Sequence, residues 1–241
     1  MRNIYLFIFL LVCFSNAYSI DMKKYQVKSG IVEYSISGIQ TGKQTLYFDN
    51  WGLLSAEYTQ ATTTFMGMTV PTNTLSLTTQ EWTYNIDLDK KEGTKIANKE
   101  IEELMKSLQG KDLEEIGRKM LEKLNAKKIG NETFLGKNCE VWEIQKLSSK
   151  VWLYKYIPLK TISNIMGTIT IEATKFEENV SIPADKLKVP SGIKITEQKF
   201  TDEEKQNMEE IMKMMQNGQI DPEKLKKLQE QNEENEEGGE K

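Results

Sequence analysis

Side-chain catalysis needs a base, an acid or a nucleophile set against one another, and this chain is poorly supplied with them. It has no histidine. That removes His-dependent triads, most zinc sites and the usual switch near neutral pH. Its cysteines are Cys13 and Cys139. Cys13 falls in an apolar N-terminal run, which leaves Cys139 without an internal disulfide partner and best read as a small buried hydrophobe. Carboxylates remain: Glu33, Glu57, Glu81 and Glu143 all fall in strand-like segments. Acid–base work would need two of them to converge. Nothing in their spacing makes them do so, and they read as a solvated face. The chain carries no calcium-loop spacing, no phosphate-cradling glycine loop and no metal-type cysteine pair. The expectation is a protein with no cofactor, no metal and no catalytic constellation, hence not an enzyme. The formal net charge is −4 and the pI about 5.3, so there is no basic footprint for nucleic acid.

The chain opens Met1-Arg2-Asn3, followed by an apolar run from Ile4 to Phe14 and small residues at Ala17 and Ser19. This is the pattern of a secretory signal peptide over residues 1–19, and it is too short to span a bilayer as a helix. The expected location is therefore the periplasm or the extracellular space. Leu10-Leu11-Val12-Cys13 has some likeness to a lipobox. Val12 is larger than the residue normally found before an acylated cysteine, and the apolar stretch ahead of it is short, so a lipid anchor through Cys13 is not expected.

Strands must then supply the scaffold. Val32, Tyr34 and Ile36 alternate with Glu33, Ser35 and Ser37, giving one apolar and one polar face. Gln40–Lys43 reads as a turn, Thr45–Phe48 as a resumed strand, Asp49–Gly52 as a second turn and Leu53–Phe65 as a long Thr-rich strand. Pro71 suggests an edge or a loop. Thr74–Thr79 and Glu81–Ile86 read as two more strands, followed by a polar connection over 87–93. Cys139–Gln145 and Lys150–Tyr156 are further strands. Ile165, Gly167, Ile169, Ile171 and Ala173 alternate with Thr168, Thr170, Glu172 and Thr174. The whole is an antiparallel meander occupying residues 20–199.

Two stretches carry a helical period instead. Asn98 can cap a helix in which Ile101, Leu104, Met105 and Leu108 form one stripe, ended by Gln109-Gly110-Lys111, and Asp112 starts a second helix with Leu113, Ile116, Met120 and Leu124 on one side. Together they make a helical insert over 98–125. Thr201-Asp202-Glu203-Glu204 is a capping box, followed by Met208, Ile211, Met212 and Met215 at helical spacing. Residues 200–229 are thus expected to form C-terminal amphipathic helices, and 230–241 an acidic disordered tail.

The stretch Gly130-Asn131-Glu132-Thr133-Phe134-Leu135-Gly136-Lys137-Asn138-Cys139-Glu140-Val141-Trp142 resembles a G-x-E-x-x-x-G-x-x-C-x-x-aromatic strand pair. That pair recurs in envelope proteins of the lipoprotein-carrier (LolA/LolB-like) superfamily, related to outer-membrane lipoprotein sorting. The family follows it with a Trp-bearing strand, here Val151–Tyr154, and a turn of the type Ile157-Pro158-Leu159-Lys160. Ile182-Pro183 and Val189-Pro190-Ser191-Gly192 resemble its closing segment. The resemblance implies a mainly β fold with α inserts: a curved antiparallel sheet, or incomplete β-barrel, covered by helices. It also implies a lipid or lipoprotein acyl chain held between sheet and helices.

Candidate ligand-binding residues on the inner face are Val32, Tyr34, Ile36, Leu46, Phe48, Trp142, Ile144, Ile169 and Ile171. The competing reading is a non-enzymatic protein-interaction or assembly module. It would bind an envelope partner through Met208, Ile211, Met212 and Met215, since methionine makes adaptable surfaces. Peripheral membrane contact is compatible with either.

Overall fold

The computed structural model describes residues 23–65, 67–99, 124–165, 167–199 and 206–207. The signal peptide, nearly all of the helical insert, the C-terminal helices apart from Gln206–Asn207, and the tail expected from the sequence lie outside the described residues.

What is described is almost entirely β. The strands are β1 (Gly30–Gly38), β2 (Gln40–Asp49), β3 (Leu54–Phe65), β4 (Met68–Thr78), β5 (Trp82–Asp87), β6 (Glu92–Ala97), β7 (Ala126–Phe134), β8 (Lys137–Ile144), β9 (Ser149–Tyr154), β10 (Ile157–Ser163), β11 (Ile169–Glu178) and β12 (Lys194–Glu197). They form one twelve-stranded sheet in the order β12-β6-β5-β4-β3-β2-β1-β11-β10-β9-β8-β7. Two meanders, β1 to β6 and β7 to β11, are joined side by side where β1 pairs with β11. All neighbours are antiparallel except β12, which adds to β6 in parallel. The sheet is open, with β7 and β12 at its edges. Among the described residues no helix is long and apolar enough to cross a membrane.

The strand boundaries correct several readings from sequence. Gln40–Lys43 is the start of β2, and the turn is one step earlier, at Gly38–Ile39. Gly42 sits opposite Ala61, where a Cβ would come within 2.2 Å of the Gln60 carbonyl oxygen. Glycine marks a close backbone approach there, not a reversal. Pro71 lies inside β4, opposite Thr62. The ladder from β4 to β5 begins only at Thr74, so no β5 partner is deprived of the proline's missing N–H. Ile157–Lys160 is the first half of β10, and the turn is Lys155–Tyr156, with both residues at positive φ, as a type I′ hairpin requires.

Two apolar clusters lie on opposite faces. Residues directly opposite in a ladder share a face. Val32 faces Leu46, and Leu46 faces Glu57. Tyr47 faces Ala56, which faces Leu77. The first cluster joins Val32, Tyr34, Leu46 and Phe48 to Tyr25, Val27, Cys139, Val141, Trp152, Ile157, Leu159 and Ala173. The second consists of Ala56, Leu75, Leu77 and Ile86 on the reverse face of β3–β5. Leu187, Val189, Ile193 and Ile195 pack over it as the chain passes from β11 to β12. The Tyr58 hydroxyl donates to the Lys186 carbonyl (3.2 Å) and ties that crossing segment down.

Candidate functional site

The inner face is shaped by a short N-terminal strap. Tyr25, Val27 and Ser29 are buried, whereas Lys23, Gln26 and Lys28 are exposed. The Tyr25 N–H donates to the Trp51 carbonyl (2.9 Å) and the next amide, Gln26, donates to the Lys155 carbonyl (3.1 Å). Consecutive amides are so close that these two carbonyls must lie within about 10 Å of each other. They belong to the β2–β3 and β9–β10 hairpins, which a flat sheet would hold about 19 Å apart. The sheet is therefore curled, and the strap spans its concave side. Tyr25 packs edge-to-face on Phe48, with ring centroids 4.8 Å apart, and Gly52 leaves room for its ring, since a Cβ there would lie 2.6 Å from it.

The structure divides the residues expected to line this face. Val32, Tyr34, Ile36, Leu46 and Phe48 do share it, and all five are buried. Val32, Tyr34, Leu46 and Phe48 belong to the core under the strap. Ile171 faces Ile36 and Ile169 faces Gly38; both are half-buried and extend the apolar surface away from the strap. Partner by partner across the ladders, Trp142 runs through Val151 and Thr161 to Ile171, and Ile144 through Ser149 and Ser163 to Ile169. Cys139 and Val141, the alternate residues of β8, are its buried members, and the β9–β10 ladder shifts register between Pro158 and Lys160. The Trp142 indole N–H donates to Glu140 (3.1 Å). The Trp152 indole, at the rim of the core, donates to Glu132 (2.7 Å).

The same inner face changes character across β3, β4 and β5. Opposite Phe48, Leu46 and Gln44 stand Ser55, Glu57 and Thr59. Beyond them come Thr78, Ser76 and Thr74, then Thr83, Asn85 and Asp87. An apolar floor on β1–β2–β11 thus runs into a wall of mostly small hydroxyl side chains, with the carboxylates of Glu57 and Asp87 and the Asn85 amide among them. Glu57 is the residue that sequence reasoning placed wrongly. It is only half-buried by area, but protein surrounds it closely enough that burial raises its pKa, with the nearby Lys24 ammonium partly offsetting the rise. Among the described residues no hydrogen bond or ion pair engages its carboxylate. The effect reaches its neighbours. Burial pushes the phenols of Tyr25 and Tyr34 up, and the Glu57 charge pushes them further. The Tyr34 hydroxyl is committed as a donor to the Pro158 carbonyl (2.9 Å).

The other carboxylates considered for chemistry stay apart. Glu33 lies on the outer side of β1 near Lys175 (3.8 Å), Glu81 is exposed before β5, and Glu143 faces Lys150 across the β8–β9 ladder. Among the described residues no group of three or more Cys, Asp or Glu could hold a metal ion. Cys139 is fully buried and its thiol is pushed up by that burial.

Asn98 does more than begin a helical turn. Its amide donates to the carbonyls of Thr79 (2.8 Å) and Gln80 (3.1 Å), and its oxygen accepts from the Thr83 hydroxyl (2.8 Å). The start of the expected insert is thereby fixed to the β4–β5 turn. The isolated amide in the sequence could have signalled a cap but not this clamp.

No protein-family model matches the chain, and no curated protein matches it. Among solved structures, it is similar to an uncharacterized conserved protein from Thermus thermophilus (TM-score 0.47, 7% identity, covering 73% of this chain and 94% of that one). It is also similar to PNGF-II (TM-score 0.40, 12% identity), covering 78% of this chain but 34% of that one, so the chain spans about a third of that protein. A third is a putative outer membrane lipoprotein-sorting protein domain from Vibrio parahaemolyticus (TM-score 0.25, 10% identity, covering 66% and 89%).

Proposed function

We propose that this is an exported envelope protein, without catalytic activity, that binds a lipid, an acyl chain or another apolar ligand on the concave face of its sheet. The observation that carries the reading is the two-part character of that face. Ligand sites of this kind are mostly apolar with a few placed polar groups. Here Ile36, Ile169 and Ile171 continue the apolar floor beyond the strap, while Ser55, Glu57, Thr59 and Ser76 offer a polar wall beside it. An amphipathic molecule would lay its chain along the first and its head against the second. The resemblance of residues 130–160 to lipoprotein carriers points the same way.

The residues under the strap pack the core in this reading and hold the curl, and the ligand contacts lie toward Ile169 and Ile171. A fluorescent fatty acid titrated into delipidated protein tests it. Saturable uptake, displaced by an unlabelled fatty acid, is expected. Absence of uptake by a folded, delipidated sample would sink the proposal.

A further inference from the structure

The end of the sheet closed by the strap carries four hairpin tips, of which Thr79–Glu81 joins β4 to β5. The other three are Asn50–Gly52 between β2 and β3, Leu135–Gly136 between β7 and β8, and Lys155–Tyr156 between β9 and β10. The strap amides hold Asn50–Gly52 and Lys155–Tyr156 beside one another. Each of these three presents a large side chain from a left-handed backbone: Trp51 (φ 56°), Leu135 (φ 48°) and Tyr156 (φ 65°). Asn or Gly suits such positions far better than an aromatic does. Tyr156 is 60% exposed and Leu135 43%, so neither is kept there for the core.

Lysines surround these tips. Lys23 and Lys28, both exposed, stand 4.3 and 5.9 Å from the Trp51 ring centroid. Lys137 and Lys155 flank the Tyr154 ring. The acids at this end are few, and Glu81 on the β4–β5 tip is exposed. Glu178 pairs with Lys137 and lies 3.4 Å from Lys155. Asp49 accepts from the Asn50 N–H, and Glu177 is turned to Lys175. A chain with a formal net charge of −4 thus gathers cations at one end beside the half-buried Trp51 ring and the exposed Tyr156 and Leu135 side chains. Trp and Tyr favour the boundary between headgroups and acyl chains, and lysines close to an anionic bilayer are drawn to its surface potential.

We propose that this end of the protein docks on an anionic phospholipid surface, with Trp51, Leu135 and Tyr156 entering the headgroup layer and Lys23, Lys28, Lys137 and Lys155 facing lipid phosphates. The proposal does not rest on the ligand reading: a protein with an empty inner face would dock the same way. The test is flotation of the full mature chain with vesicles of phosphatidylcholine, with and without phosphatidylglycerol. Flotation is expected only with phosphatidylglycerol present and should weaken as salt screens the attraction.

Neutralising Lys23, Lys28 and Lys155 together as glutamines should lower the partition coefficient about fivefold per lysine, about a hundredfold in all. Trp51→Asn and Tyr156→Asn tolerate the left-handed backbone and should also reduce flotation, with circular dichroism confirming that each variant is folded. No flotation with anionic vesicles would overturn the proposal. So would equal flotation on both vesicle types, or full retention by the glutamine variant.

Discussion

The contact between Tyr25 and Phe48 is where the curl can be attacked directly. Tyr25 is 3% exposed and Phe48 0%, and their rings meet at 67° in an edge-to-face pair. Truncating a buried aromatic to alanine costs about 3–5 kcal/mol, so Tyr25→Ala should remove a large part of the roughly 5–15 kcal/mol that holds a domain together. That figure mixes lost burial with lost pairing. A cycle of Tyr25→Leu, Phe48→Leu and the double variant separates them, because leucine keeps most of the apolar volume. The ring pair itself should appear as a coupling of about 1 kcal/mol, above the roughly 0.3–0.5 kcal/mol scatter of independent sites. Urea unfolding followed by tryptophan fluorescence reads all four proteins. A coupling within that scatter, together with a Tyr25→Ala cost below about 1 kcal/mol, would refute the claim that the strap is packed into the core and holds the hairpins together.

Three further outcomes follow from the same geometry. Burial raises the folded-state pKa of Glu57 above its unfolded value, so the native state takes up a proton that the unfolded chain releases. Glu57's contribution is then fully favourable below the ordinary carboxylate range and is lost as pH rises through the folded-state value. Glu57→Gln should accordingly raise the melting temperature at neutral pH and flatten its decline from acid to neutral; a lower melting temperature at neutral pH would show the carboxylate to be a structural partner instead. Gly52→Ala places a Cβ against the Tyr25 ring at a φ of +87° and should cost about 1–3 kcal/mol, measured by thermal unfolding, with no loss meaning that the strap gives way freely. The Cys139 thiol, fully buried, should resist iodoacetamide in the native protein and react on unfolding, and rapid native labelling would contradict its place in the core.

The parts of the fold legible in the sequence are those where one face is apolar and the other is not. Val32, Tyr34 and Ile36 alternate cleanly, and β1 is where alternation puts it. The reading fails where another constraint outranks burial. Gly42 mimics a turn because a close strand neighbour excludes a Cβ. β7 is exposed along most of its length, as a charged edge strand should be, and so shows no alternation. β12 is a short parallel addition between distant segments, which no local pattern can announce.

The inner face was half legible. Its apolar residues on β1 and β2 follow from period two, but in β8 both phases carry apolar residues, Cys139 and Val141 in one and Trp142 and Ile144 in the other, so alternation alone does not pick the inner one. Glu57 reads as solvated because the residues two positions either side of it on the same strand face, Ser55 and Thr59, are polar. Only the ladders show that this polar stripe continues the apolar floor of β1 and β2 on the concave side.

Native mass spectrometry of the mature protein, extracted gently from its own envelope, decides whether the concave face holds an apolar ligand. An added mass in the range of a lipid or fatty acid is expected, one that organic extraction removes and a fatty acid restores. A clean apo mass that no added lipid shifts would contradict that reading.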